Sequence, residues 1–225
     1  LTSSDGNSWT KRTSGTSTFL SGITYGNGLF VSVGWKGTIL TSSDGTTWTS
    51  KTSGTSYDLI GVTYGNGLFV TVGSSGTILT SSDGNSWTER SSGTSNPLYG
   101  VTFGNGLFVT VSMKEPILTS SDGNSWTERS SGTSKELWRV TYGNGLFVSV
   151  GRKGTILTSS DGNSWTERSS RTSRTSGILI GVTYGNGLFI TLGQSGTILT
   201  SSDGTTWTKR SSGTSNPLYG VTYSQ

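Results

Sequence analysis

Residues 59–90 read LIGVTYGNGLFVTVGSSGTILTSSDGNSWTER. The stretch divides into four short segments rich in β-branched and aromatic residues: Leu59 to Tyr64, Leu68 to Val72, Thr77 to Ser81 and a segment around Trp87. They are termed positions A, B, C and D. Gly65-Asn66-Gly67 joins A to B, and Asn-Gly is a strong hairpin signal because both residues accept positive φ. Ser74-Ser75-Gly76 joins B to C, and Asp83-Gly84 is expected to join C to D by the same turn chemistry. The segment therefore predicts a four-stranded antiparallel meander.

The same unit fills the chain. Its Ser-Ser-Asp-Gly-x-x-Trp element recurs with aspartates at Asp5, Asp44, Asp83, Asp122, Asp161 and Asp203, at intervals of 39, 39, 39, 39 and 42 residues. A period near 40 with four strands and one Trp per unit is the pattern of an all-β propeller, in which each unit is a blade that must stack on its neighbours. Residues 1–225 are read as a single domain with repeats beginning near 1, 40, 79, 118, 157 and 199. Counting segments gives six A, five B, six C and six D. The expectation is a six-bladed ring with one blade shared between the N- and C-termini; the alternative is a five-bladed ring with surplus strands. A partner chain is one candidate donor for the absent sixth B strand.

Composition narrows the chemistry. The chain has 35 glycines and no alanine, which disfavours long helices. It has no histidine and no cysteine, so imidazole bases, Cys or His zinc sites, thiol nucleophiles and disulfides are excluded. No cofactor or metal is expected. No run of 18 apolar residues exists, and the sequence opens in polar residues, so neither a membrane span nor a leader is expected.

Ser42-Ser43-Asp44-Gly45-Thr46-Thr47-Trp48 resembles the Asp-box, or BNR, repeat of sialidase-like and photosystem-assembly-factor-like propellers. Asp and Trp stand four apart, one residue closer than in that pattern. The unit is more similar to blades of secreted bacterial and phage-associated repeat proteins that combine Tyr-Gly-Asn-Gly-x-Phe-Val, Val-Gly-x-x-Gly-x-Ile and Asp-Gly-x-x-Trp. The resemblance implies a propeller, an extracellular or phage-surface setting, and an Asp-box that serves folding. Near-identity of the repeats points to recent amplification or construction from a consensus blade. Sialidase activity would require an arginine triad on the central face, whereas Arg12, Arg90, Arg129, Arg168 and Arg210 follow the D-position Trp and are expected to be solvated edge charges. Glu115 and Glu136 are the only glutamates outside the repeat, and no spacing pairs them, so no enzyme is expected. Trp9, Trp48, Trp87, Trp126, Trp165 and Trp207 recur at one position and are read as packing residues, and the repeated Asp as a cap of its own turn.

Function is sought where the units differ. Gly-Asn-Gly is invariant in the five complete A–B turns, and the C–D turns alternate only between Asn-Ser and Thr-Thr. The B–C turns differ, with Trp35-Lys36, Ser74-Ser75, Met113-Lys114-Glu115-Pro116, Arg152-Lys153 and Gln194-Ser195. So do the D–A connections, which carry Tyr57-Asp58, Lys135-Glu136 followed by Trp138-Arg139, and a longer insert with Arg171 and Arg174. In a meander both sets of variable connections fall on one face. Lys36, Lys114, Lys135, Arg139, Arg152, Lys153, Arg171 and Arg174 outweigh Asp58, Glu115 and Glu136 there, a net +5 against the chain's +4, so the excess basicity belongs to that face. With Trp35, Tyr57, Met113 and Trp138 these form the candidate partner-binding set, since Trp, Tyr and Arg dominate binding hot spots. The expected function is a non-catalytic module that binds a macromolecular partner, an acidic protein surface or a glycan. Nucleic acid is disfavoured because the charge is modest and interspersed with acids. The alternatives are an idealised structural repeat protein without a ligand and a multivalent lectin with sites between blades.

Overall fold

The computed structural model describes residues 1–168 and 177–223, so Arg171 and Arg174 of the candidate set lie outside the described residues. Twenty strands form five four-stranded sheets, each a meander in which neighbours in sequence pair antiparallel. The first is β1 (Leu20–Gly26), β2 (Leu29–Gly34), β3 (Ile39–Ser42) and β4 (Thr49–Lys51). Strands β5–β8 span 59–90, β9–β12 98–129, β13–β16 137–168 and β17–β20 179–210. In each A–B turn Asn stands at φ 48–49° and the following Gly at 73–76°, the pair of left-handed residues that a two-residue hairpin needs.

The C–D turn differs from the expected Asp-Gly hairpin. Only its Gly is left-handed, at φ 69° in Gly45, while Asp44 works through its side chain. Thr46 N and Thr47 N each donate to Asp44 Oδ1 at 2.8 Å, and Ser42 Oγ donates to the same oxygen at 2.9 Å. Gly45 N donates to Ser42 Oγ at 2.9 Å, and the Trp48 indole Nε1 closes the loop on Gly45 O at 3.3 Å. Trp48 thus belongs to the turn, and the outermost strand begins after it. Arg12 and Arg210 are exposed, as expected of edge charges, but the three inner repeat arginines are not free. Arg90, Arg129 and Arg168 are half-buried and donate Nε to Thr80, Thr119 and Thr158 of the adjacent strand at 2.9, 3.2 and 2.8 Å.

Cohesion comes from layers between sheets. Val31, Val33 and Ile39 of the first sheet pack on Leu59, Phe69 and Leu79 of the second, and the pattern repeats at each junction. Position A is innermost: β1 lies against β5, β5 against β9, β9 against β13 and β13 against β17. These strands interlock through a glycine. A Cβ at Gly26 would come within 2.1 Å of Tyr64 Cγ, and Gly65, Gly104 and Gly143 receive Phe103, Tyr142 and Tyr184 in the same way.

The expected shared sixth blade is not formed among the described residues. Its C–D part is present as a single Thr2–Thr10 bridge, and residues 218–223 lie against the fifth sheet, with Tyr223 over Gly185 and Leu218 N donating to Gly193 O at 3.0 Å. Strand β1 lacks the cover its counterparts have. Leu20 is 41% exposed, Ile23 61% and Tyr25 58%, whereas Leu59, Leu98 and Leu179 are fully buried. An apolar cleft of about 160 Å³ remains between Leu1 and Leu20, Ile23 and Trp48. A Cβ at Gly220 would meet nothing within 4 Å, so 218–223 does not pack on β1 as consecutive innermost strands pack on one another.

Candidate functional site

The B–C turns are single 3-10 turns whose second residue is left-handed: Lys36, Ser75, Lys153 and Ser195, at φ 54–57°. The third unit replaces this turn with Met113 to Pro116. Each variable turn lies beside a D–A connection, as the meander requires: Trp35 N donates to Phe19 O at 2.9 Å and Met113 N to Pro97 O at 3.3 Å.

The structure divides the candidate residues into three groups. At the first junction Lys36 N donates to Asp58 Oδ1 at 2.9 Å, and the exposed Trp35 ring packs on Phe19 with centroids 4.9 Å apart, with Tyr57 half exposed nearby in sequence. In the third unit Glu115 is tied to the D–A connections on either side of its blade. Its Oε1 accepts from Ser131 Oγ at 3.0 Å and its carbonyl from Asn96 Nδ2 at 2.9 Å, leaving Lys114 exposed at the loop tip.

The third group is the densest and sits between the third and fourth sheets. Glu136 accepts from Arg152 Nη1 at 2.8 Å, and Lys135 pairs with Glu167 at 2.6 Å. Both pairs are partly solvated and hold side chains in place more than they stabilise the fold. Beside them, the Trp138 and Tyr99 rings lie 4.8 Å apart, and Arg139 Nη1 donates to Trp138 O at 2.9 Å and Tyr99 O at 3.3 Å. Burial lowers the Arg139 guanidinium below its ordinary value, and the same desolvation raises the Tyr99 phenol, an effect that Glu136 reinforces and Arg139 opposes. Lys153 is exposed at the neighbouring turn.

Tyr99 was missed by the sequence reading, although it stands one 39-residue period before Trp138 at a β-bulge that every blade shares. In all five A–B pairs the register slips by one residue near the strand start, between Leu137 and Arg139 and between Leu98 and Gly100 for example. Aligned on the bulge, one column reads Ser21, Ile60, Tyr99, Trp138, Ile180 and Tyr219. That column varies as much as the loops do, and comparing it unit by unit is the signal that finds Tyr99. The next column is Gly22, Gly61, Gly100, Arg139, Gly181 and Gly220. A Cβ at Gly61 or Gly100 would come within 2.8 or 2.9 Å of the next strand's backbone, which accounts for the glycines and makes Arg139 the exception.

No family model matches the chain, and no curated protein matches it. Solved structures do. YCF48 bound to a D1 peptide superposes with a TM-score of 0.71 at 20% identity, covering 91% of this chain and 71% of that one. A catalytically inactive virginiamycin B lyase from Staphylococcus aureus with quinupristin gives a TM-score of 0.83 at 15% identity, covering 93% and 76%. The computationally designed Ika8 protein gives 0.71 at 13% identity, covering 92% and 65%. These neighbours are β-propellers. The fold of this chain is a β-propeller, here with five complete blades among the described residues.

Proposed function

We propose that the chain is a non-catalytic binding module whose variable face recognises an acidic peptide or protein surface. The observation that carries this reading is the separation of faces. The C–D turns on one side repeat the same two backbone bonds to an Asp Oδ1, while the other side gathers exposed Trp35, Tyr57, Lys114 and Lys153 with the Tyr99, Trp138 and Arg139 cluster. Large aromatic and cationic groups on a rigid scaffold are what interface hot spots require. The solved neighbour holding a peptide supports a protein partner over a glycan. The absence of any histidine and the pairing of Glu136 with Arg152 favour binding over catalysis. In the Asp-box-like reading, the aspartate turns serve folding.

The regularity of the framework, and its likeness to a designed protein, favour one second reading: a structural repeat protein whose loops bind nothing. A peptide array graded in charge separates the two. The parent chain is compared with a variant in which Trp35, Lys36, Tyr57, Met113, Lys114, Lys135, Glu136, Trp138, Arg152 and Lys153 are replaced by the Ser and Asn-Pro loops of the plain units. Acidic peptides retained by the parent and lost by the variant support recognition through this face. Equal retention, or none, supports the structural reading.

A further inference from the structure

Two groups between the third and fourth blades lack a partner: one a buried donor without an acceptor, the other a cation without a counter-ion. Trp138 Nε1 is the one buried side-chain nitrogen or oxygen among the described residues that has no hydrogen-bond partner. Leaving a buried donor unpaired is costly, and native proteins pair nearly all of them, so such a group calls for a cause. Arg139 is the second case. Its Nη1 is held by the carbonyls of Tyr99 and Trp138, yet no carboxylate pairs with it among the described residues: Glu136 is taken by Arg152, and Glu167 by Lys135. A desolvated cation without a counter-ion is unfavourable on its own. It also stands where five equivalent positions carry glycine, so the framework does not demand it.

From this juxtaposition we infer that Tyr99, Trp138 and Arg139 form an anchoring subsite for a single carboxylate, the side chain of an Asp or Glu in the bound peptide. Arg139 supplies the charge and the planar fork that matches two carboxylate oxygens. Fixing Nη1 on two backbone carbonyls orients that fork before any ligand arrives. Trp138 supplies a further donor, and the Tyr99–Trp138 pair walls the site with apolar surface that strengthens the ion pair by excluding water. With Glu136 and Arg152 already paired, one guanidinium is left to balance the ligand, which favours a monoanion over a phosphate dianion. This inference rests on the binding-module reading and specifies the chemistry of one point on its face.

The test uses the whole chain, 15N-labelled, with the indole Nε1–H resonance of Trp138 identified by its loss in Trp138→Phe. Acetyl-Leu-Glu-Leu-amide, acetyl-Leu-Gln-Leu-amide and inorganic phosphate are titrated separately. The expected result is a saturable shift of the Trp138 indole resonance with the Glu peptide, at least about tenfold weaker binding of the Gln peptide, and no saturation with phosphate, since a charged hydrogen-bonded pair typically carries that much. Arg139→Gly restores the residue of the other units and keeps the fold, and Arg139→Gln keeps the side-chain length. Both are expected to weaken the Glu peptide at least about tenfold, and Trp138→Phe a few-fold. Equal binding of the Glu and Gln peptides, undiminished binding by either Arg139 variant, or phosphate binding as tight as the Glu peptide overturns the inference. If the loop-replaced variant loses array binding while Arg139→Gly retains it, the subsite falls and the recognition face stands.

Discussion

Replacing Phe108 with Ala, and separately Phe30 with Ala, compares one repeat position inside the stack and at its edge. Both rings make the same contacts within their own blade: Phe108 lies 4.6 Å from Phe103 and 6.4 Å from Trp126, and Phe30 lies 4.6 Å from Tyr25 and 6.5 Å from Trp48. They differ in what the preceding blade presents. Phe108 is fully buried with Val70 and Val72 of the second sheet, whereas Phe30 is half-buried beside the short Thr2–Thr10 bridge. An aromatic ring buries at least about 150 Å², worth about 4 kcal/mol at 25 cal/mol/Å², in the range of about 3–5 kcal/mol known for buried Phe→Ala changes. Phe108→Ala should therefore cost about 4 kcal/mol and Phe30→Ala about half of that. In equilibrium urea unfolding, with a slope of about 2–3 kcal/mol/M, the midpoint should fall by about 1–2 M for Phe108→Ala and by less than about 1 M for Phe30→Ala. Equal losses would refute the reasoning, because they would mean that the outward face of the first sheet is covered as fully as the inner junctions.

Two further outcomes follow from the same geometry. Gly104→Ala should cost about 1–3 kcal/mol or more in thermal unfolding, because its new methyl would lie 2.0 Å from Tyr142 Cγ, while Gly106→Ala, at φ 73° with open space around it, should cost only about 1–2 kcal/mol; a larger loss at Gly106 would contradict the interlock. The carboxyls of Asp5, Asp44, Asp83, Asp122, Asp161 and Asp203 are all held below the ordinary 3.8, first by the backbone N–H groups of their turns, with Asp44 lowered to about 2. A lowered folded-state value gives stability that is present above the unfolded value and lost as pH falls through the folded one. The melting temperature should then drop between about pH 4 and pH 2, and a melting temperature constant across that window would remove the turns from the stability argument.

Much of this fold was legible because its signals are local. Asn66-Gly67 encodes its hairpin in two residues, and Asp83 finds its acceptors' partners, the N–H groups of residues 85 and 86, within its own turn. The inner edge was not legible. The contact of Tyr99 with Trp138 joins two blades, and no spacing within a unit reports it. Arg139 was recognised as a departure, but its placement against Tyr99 O belongs to a residue 40 positions away. Glu115 looked like part of a recognition loop, and only the distances to Ser131 and Asn96 show it tied to the neighbouring connections. The count of six blades is not confirmed, for a related reason: Tyr223 seats over Gly185 as at the inner joints, but counting segments also assumes that 218–223 packs on β1, whose Ile23 and Tyr25 stay exposed.

The glycine sockets that join the blades carry a consequence for how the chain finds its native order. Each joint places an aromatic ring of one blade in the groove of the one before, and Tyr64, Tyr142 and Tyr184 are interchangeable in this role. A joint of this kind fixes direction, so blades stack head to tail, but it carries no address. Blade two would seat on blade four as well as on blade one, within a chain or between chains, and misordered stacks compete with the native one on nearly equal terms. What tells the junctions apart is the handful of residues outside the repeat, among them Arg139 and the Met113 loop. The side chains proposed to meet a partner are also the marks by which the blades distinguish one another.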